Sequence, residues 1–320
     1  MSESAAPAPV APEPHPRLRA LVARAQARAA GRLPVLGLAY PCNALALEAA
    51  QAMHLQGLAR PLLIGPREAI ARAAEAAAVD ASAFEIVDTG AASDGAQAGR
   101  RAAALAREGV VGMLMKGSLH TDELMSAVVD KAAGLRGARR ISHAFVFDLP
   151  RYHKLLTLAD CVVNIAPDLK TKRDIVGNAV ELLQRIGIDA PKVGVVAAVE
   201  TVNPAIPATL DAQALVQACA AGDWPGALVE GPFGFDNAFS AQAARIKGID
   251  STVAGDADLM LMPDLNAGNM LYKSFVYVGG GDCAGLVLGA KVPVIITSRA
   301  DSQLARVASV ALGVLAGHAQ

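Results

Sequence analysis

The chain has 320 residues, 53% of them hydrophobic but only 4% aromatic, with a formal net charge of −1. That length exceeds one typical domain and falls short of three. The near-neutral balance gives no electrostatic case for binding nucleic acid or an anionic membrane. Cores must then be built from Ala, Val, Leu and Ile, which suits α/β architecture, where buried parallel strands read as aliphatic runs.

Taken in chain order, residues 1–16 carry five prolines and no apolar run, which predicts a disordered tail. The stretch from Arg17 to Arg32 reads as an amphipathic first helix. Candidate strands follow at Pro34–Leu38, Pro61–Ile64, Phe84–Val87, Val110–Met115, Ile141–Phe147 and Cys161–Ile165. Further candidates lie at Val193–Val199, Ala227–Val229, Leu259–Met262, Leu286–Leu288 and Val294–Thr297. Helical spacing from Thr121 to Lys131 and from Thr171 to Ile186 separates some of them. This alternation predicts parallel sheets covered by helices. The longest apolar runs, 193–199 and 307–317, are shorter than the roughly 18 residues of a membrane span. Glycine-flanked breaks near Gly134–Gly137 and Gly289–Lys291 divide the chain into a domain of residues 17–137 plus 289–320 and a domain of residues 138–288.

Cys42, Cys161, Cys219 and Cys283 form no CxxC pair and no zinc-type spacing. No metal site and no disulfide framework are expected, and a reducing cytoplasm fits.

In α/β sheets chemistry gathers in the loops after strands. Three such loops carry suitable groups. Lys116-Gly117-Ser118-Leu119-His120-Thr121-Asp122 follows a strand and opens a helix. Its hydroxyls, free helix N–H groups and lysine make an anion site, but a Ser or Thr at a helix start is equally an ordinary cap. Pro263 to Lys273 clusters Asp264, Asn266, Asn269, Tyr272 and Lys273. An Asx-rich turn accounts for its first half, but not for Asn269, Tyr272 and Lys273 at i, i+3, i+4 spacing on one helical face. Thr297-Ser298-Arg299-Ala300-Asp301-Ser302 again lies between strand and helix. Arg299 can hold a phosphate through two parallel hydrogen bonds, and Ser298 can donate to an oxyanion. Asp301 and Ser302 are equally good helix caps. The loops Glu200–Pro204 and Gly231–Asn237 are candidate cleft walls.

Gly279-Gly280-Gly281-Asp282-Cys283-Ala284 matches GxGxxA, but the glycines lead almost at once into the strand-like Gly285–Gly289. A dinucleotide site needs a helix there, so a nicotinamide dehydrogenase is disfavoured.

Together these stretches resemble the phosphate acetyltransferase and phosphate butyryltransferase family. The resemblance rests on Lys116–Thr121, Arg139–His143, Asn164–Pro167, Pro204–Pro207, Gly255–Asp258, Pro263–Lys273 and Thr297–Ser302, and it runs from about residue 30 to the C-terminus. It implies two α/β domains flanking a cleft, as in isocitrate and isopropylmalate dehydrogenases, and a homodimer. It also implies reversible transfer of a short acyl group between coenzyme A and phosphate, with no cofactor beyond these substrates. Ser298 and Arg299 would serve catalysis and phosphate binding, with Lys116, Gly117, Ser118, His120 and Thr121 against the phosphoryl group. Two departures stand out. Acetyl-specific relatives carry a carboxylate where this chain has Ala305, and an arginine where it has Ser126. The wording around Ser298 is closer to the butyryl and hydratase-fused branch, and Asp301 becomes the candidate base.

The implied chemistry is direct attack of phosphate on a thioester carbonyl, with Ser298 hydrogen-bonding the developing oxyanion and both substrates held in one cleft. No acyl-enzyme is required, and the cysteines read as core residues. Two rivals keep the same fold: a fatty acyl-carrier-protein:phosphate acyltransferase, which would want a basic docking patch, and a non-catalytic acyl-CoA-binding protein. A β-decarboxylating dehydrogenase would need paired metal-binding aspartates, which the sequence does not offer.

Overall fold

The structure, a computed structural model, describes residues 14–132, 134–298 and 300–317. Its first half runs α1 (Pro16–Ala29), β1 (Val35–Ala39), α2 (Ala44–Leu55), β2 (Arg60–Gly65), α3 (Arg67–Ala77), β3 (Glu85–Asp88), α4 (Gly95–Arg107), β4 (Met113–Lys116) and α5 (Thr121–Val129). After α5 come β5 (Ser142–Asp148), β6 (Leu156–Ala159), α6 (Leu169–Arg185), β7 (Lys192–Val196), α7 (Pro207–Ala220), β8 (Leu228–Phe233), α8 (Phe235–Phe239) and α9 (Ala241–Ile246). The chain closes with β9 (Leu259–Leu261), α10 (Leu265–Tyr277), β10 (Asp282–Leu288), β11 (Val294–Ile295) and α11 (Gln303–Ala316).

The strands form one 11-stranded sheet in the order β3-β2-β1-β4-β11-β10-β5-β6-β9-β7-β8. The β3-to-β11 side is parallel throughout, as is the β6-β9-β7-β8 side. Between them β10 and β5 run antiparallel to their neighbours. The mixed centre therefore joins two parallel halves of opposite sense, and the sheet continues without a break past residues 137 and 289.

Packing differs between the two faces. One face carries a continuous core to which α1, α2, α3, α6, α7 and α11 contribute Leu18, Leu47, Ile70, Ile175, Leu215 and Val310. The opposite face carries two separate cores. One lies under α4 and α5, with Ala102, Leu124 and Val287; the other lies under α8, α9 and α10, with Phe147, Met260 and Phe275. Across β5 and β10, between these two cores, the rings of His143 and Phe145 fold over Gly285, where an added Cβ would sit 2.9 Å from Phe145.

Several sequence expectations are corrected here. Cys161–Ile165 is not a strand. The Asp160 carboxylate accepts the N–H groups of Val162 and Val163 at 2.8 and 2.9 Å and so bends the chain into a turn. The strand is the preceding Leu156–Ala159. Gly231, Pro232 and Phe233 belong to β8 rather than to a loop. The tail boundary also moves. Residues 1–13 lie outside the described residues, but Pro16 opens α1, where a missing N–H costs nothing. Arg17 donates to the buried Asp148 carboxylate from its guanidinium and from its backbone N–H, both at 2.7 Å. The GxGxxA stretch behaves as its strand-like sequel requires: β10 begins at Asp282, and no helix follows the glycines.

Candidate active site

The β1–α2, β4–α5 and β11–α11 loops leave the same end of the sheet, because β1, β4 and β11 are parallel neighbours. One pocket is lined by Asn43, Lys116, Gly117, Ser118, Thr297, Ser298 and Arg306, among others. Two of the three sequence-predicted loops thus meet.

The β4–α5 loop is largely committed to its own structure. Gly117 and Ser118 donate their N–H groups to the carbonyls of Ala39 and Tyr40, both at 2.9 Å. A Cβ on Gly117 would stand 2.5 Å from one of those oxygens and 2.6 Å from the other, so only glycine fits. The Ser118 hydroxyl donates to the Tyr40 carbonyl at 2.8 Å and accepts from Cys42 N at 3.2 Å. Lys116 Nζ reaches the carbonyls of Gly117 and Leu119 at 3.3 and 3.2 Å. At the start of α5, the N–H of His120 is taken by Glu123 Oε2 at 2.7 Å. The helix start therefore already has an anion, supplied by its own third residue. His120 and Thr121 are exposed and do not line the pocket.

The β11–α11 loop is organised differently. Arg299 lies outside the described residues. Ser298 is exposed, and its N–H is held by Asp301 Oδ2 at 2.7 Å. Asp301 does not cap α11. That task falls to Ser302, whose hydroxyl accepts from Ala305 N at 2.8 Å while donating to Asp282 at 2.5 Å. Asp301 instead braces the Ser298 turn. Burial pushes its carboxyl above the ordinary carboxylate range and nearby Asp282 adds to the rise, against the N–H of Ser298 and the charges of Arg306 and Lys116. Ala305 is buried in the first turn of α11.

The third predicted loop contributes no residue to the pocket that holds Ser298. Asp264 caps α10, accepting from Ala267 N at 3.0 Å. Asn269 donates to the Cys161 carbonyl at 3.2 Å, and Tyr272 stacks on Phe145 at 4.1 Å with an interplanar angle of 2°. Burial raises the Tyr272 phenol well above its usual value, and Cys283 and Asp301 add to the rise. Asn266 and Lys273 are exposed, so the face expected to unite Asn269, Tyr272 and Lys273 is divided between contact and solvent.

Sequence reasoning missed Asn43, Tyr40, Arg306 and Asp282. The first two stand just past β1, where the strand-end rule alone would have found them. Arg306 is one helical turn past the Ser302 cap, and Asp282 became recognisable only through its pairing with Ser302. Other stretches quoted for the resemblance prove structural. Arg140 donates to Asn164 at 2.9 Å, and Asn164 to Asp160 at 2.7 Å. Asp256 and Asp258 both pair with Lys154. His143 is buried and pushed down to about 3 by that burial, so its imidazole stays neutral.

Nucleophilic cysteine chemistry finds no support. Burial raises the Cys42 thiol to about 11 and holds Cys161 and Cys283 well above the ordinary thiol value. Among the described residues no His, Cys, Asp and Glu cluster could hold a metal ion, and no helix is long and apolar enough to cross a membrane.

This architecture, with its loops at one strand end, is an α/β dehydrogenase-like fold of the kind found in phosphotransacylases. A branched-chain phosphotransacylase from Enterococcus faecalis superposes with a TM-score of 0.77 at 27% identity, covering 89% of this chain and 99% of the other. A phosphotransacetylase from Streptococcus pyogenes gives 0.79 at 20% identity, covering 93% and 98%. In sequence, a phosphate acetyltransferase of Rhizobium meliloti is 46% identical over 96% of this chain and 94% of its own length. A phosphate butyryltransferase of Clostridium acetobutylicum is 38% identical over 84% and 88%. Residues 96–314 match the family described as phosphate acetyl/butaryl transferase, and the chain belongs to that family.

Proposed function

We infer that the protein is a phosphate acyltransferase, which moves a short acyl group reversibly between coenzyme A and inorganic phosphate. The observation that carries this reading is the pocket in which the Ser298 loop, free of any nucleophilic thiol, faces Lys116 and Gly117. A phosphate oxygen attacks the thioester carbonyl, the carbon–sulfur bond breaks, and acyl phosphate and coenzyme A leave. Ser298 hydrogen-bonds the oxygen on which charge develops. Arg299 clamps the phosphate, a role that rests on the family resemblance, and Lys116 and Arg306 supply positive charge around it. In the opposite direction the thiol of coenzyme A must lose a proton. Asp301 is assigned as the base, supported by its position beside Ser298 and its raised affinity for a proton. Asn266, Asn269, Tyr272 and Lys273 are assigned to substrate binding, a role that rests on the family resemblance. The acyl-carrier-protein and non-catalytic readings are not favoured by the relatives found.

The two-domain division, 17–137 plus 289–320 against 138–288, stays part of the proposal. It is supported by the change of strand sense at β10 and β5 and by the split core on one face. Against it, α1 packs on β5 and β10 as well as on α11. A homodimer is supported by Ile165, Met270, Tyr277 and Val278, large apolar side chains left exposed on α10 and beside it. Light scattering on Met270→Glu should report half the native mass; an unchanged mass would place the interface elsewhere. A cytoplasmic location is supported by four free cysteines.

The test of the activity is anion dependence. Free thiol should appear from acetyl-, propionyl- or butyryl-CoA only when phosphate or arsenate is present. Equal release without either anion would mean a thioesterase.

A further inference from the structure

We propose that the groove between α2 and α11 is the acyl-chain pocket and that Ala49 and Ala52 set the chain length accepted; this rests on the transfer reaction inferred above. The groove has a volume of about 410 Å³, within the usual range of small-molecule sites, roughly 300–1,000 Å³. Its walls are aliphatic: Leu45, Ala49, Ala52, Met115, Val307 and Val310. Glu48, Gln51 and Gln303 add polar groups. It adjoins the pocket that holds Ser298 and Lys116, because Leu45, Ala49, Met115 and Arg306 line both. A thioester carbonyl held at Ser298 thus stands next to a largely aliphatic groove, larger than an acetyl methyl group can fill.

The aromatic surface on β5 and α10 contributes nothing to the Ser298 pocket. Tyr272 lies flat against Phe145, and the gap between the two cores is closed by rings. Ala49 lines both the groove and the Ser298 pocket, whereas Ala52 lines the groove alone. Ala49 is the nearer gate and Ala52 the deeper one. Both are partly exposed positions within α2, where leucine is nearly as good a helix former as alanine. Enlarging them should fill the groove without disturbing the fold.

An extra methylene in an apolar pocket is worth roughly 10- to 200-fold in discrimination. The experiment measures kcat/KM for phosphate-dependent thiol release from acetyl-, butyryl- and hexanoyl-CoA in the native protein, Ala49→Leu and Ala52→Leu, with melting temperatures as a folding control. Ala49→Leu should lower the butyryl-to-acetyl ratio by about tenfold or more. Ala52→Leu should spare butyryl and cut hexanoyl by a similar factor. An active enzyme whose ratios stay flat in both variants, or whose rates fall equally for every chain, overturns the pocket alone. A native protein with no phosphate-dependent turnover on any acyl-CoA overturns the transfer reaction, and the pocket with it.

Discussion

The β4–α5 and β11–α11 loops both join a strand to a helix at one end of the sheet, and both offer hydroxyls and a cation. They differ in what their polar groups already do. In the first, the Gly117 and Ser118 N–H groups, the Ser118 hydroxyl and the His120 N–H all have partners inside the chain. In the second, Ser298 is exposed and lines the pocket, its N–H is held by the Asp301 carboxylate, and its hydroxyl accepts from Ala300 N at 3.3 Å while its own proton has no acceptor among these contacts. A loop whose donors are satisfied internally makes a rigid wall. A loop whose backbone is held and whose hydroxyl can still donate its proton can act on a substrate. Substitutions in the second loop should therefore change rate at constant stability, and those in the first should change stability first.

The largest effect is expected at Arg299. Arg299→Ala should lower turnover about 100-fold or more, since a bidentate clamp is lost where charge develops. Arg299→Lys should restore only part, because the fork is gone. Native kinetics in the alanine variant would remove this residue from the site.

Asp301→Asn comes next, on the order of 100-fold in the direction that consumes the coenzyme A thiol. The active form of a base is the carboxylate. Because burial raises its pKa, the rate should fall on the acid side at a pH above the ordinary aspartate value of about 3.9. The stability sign is opposite to that of a salt-bridged aspartate. A carboxyl whose folded pKa is raised loses the native state relative stability as pH climbs from its unfolded to its folded value. The amide should then be no less stable at neutral pH, and its oxygen can still accept from Ser298 N. Full activity across pH in a stable variant would send the base elsewhere.

Which parts of this comparison the sequence revealed follows a physical line. Strands with aliphatic runs, such as Val35–Ala39 and Val193–Val196, were legible because burial on both faces demands that pattern. Leu156–Ala159 was hidden: four residues interrupted by a threonine are a weak signal beside the more apolar Cys161–Ile165, and the decisive Asp160 turn is a side-chain effect. The three candidate loops were picked out by strand-end position and residue type, and two of them meet at one pocket. Their division into wall and actor was not legible, since it depends on contacts such as Ser118 with Tyr40, 78 residues apart. Asp301 illustrates the same limit. Capping chemistry was correctly expected near it, but the helix cap is Ser302.

Gly117→Ala tests the wall directly. A methyl group would press on the carbonyl oxygens of Ala39, the last residue of β1, and Tyr40, the next, which are backbone and cannot swing away. Overpacking of this kind typically costs about 1–3 kcal/mol, or a few degrees in melting temperature for a chain of this size. Loss of turnover should accompany the displacement of Lys116. A variant with unchanged melting temperature would show that the loop relaxes freely, and the contrast between the loops would lose its basis.

Ser118→Ala should have the smallest effect and discriminates most sharply. Its hydroxyl bridges the Tyr40 carbonyl and the Cys42 N–H, so removal forfeits two neutral hydrogen bonds across a half-buried junction. Each is worth about 1 kcal/mol net, and a group left unpaired adds to the loss. A decrease of about 1–2 kcal/mol in unfolding free energy is expected on that basis. Turnover should stay within about threefold, a barrier change of well under 1 kcal/mol, because the hydroxyl is already engaged within the protein. Denaturant unfolding and kcat/KM for phosphate on the same preparation separate the two outcomes. If stability holds while kcat/KM for phosphate falls by about 100-fold, the hydroxyl turns to the substrate in the working enzyme. The β4–α5 loop would then belong with the β11–α11 loop as an actor, and its internal hydrogen bonds would describe the resting state alone.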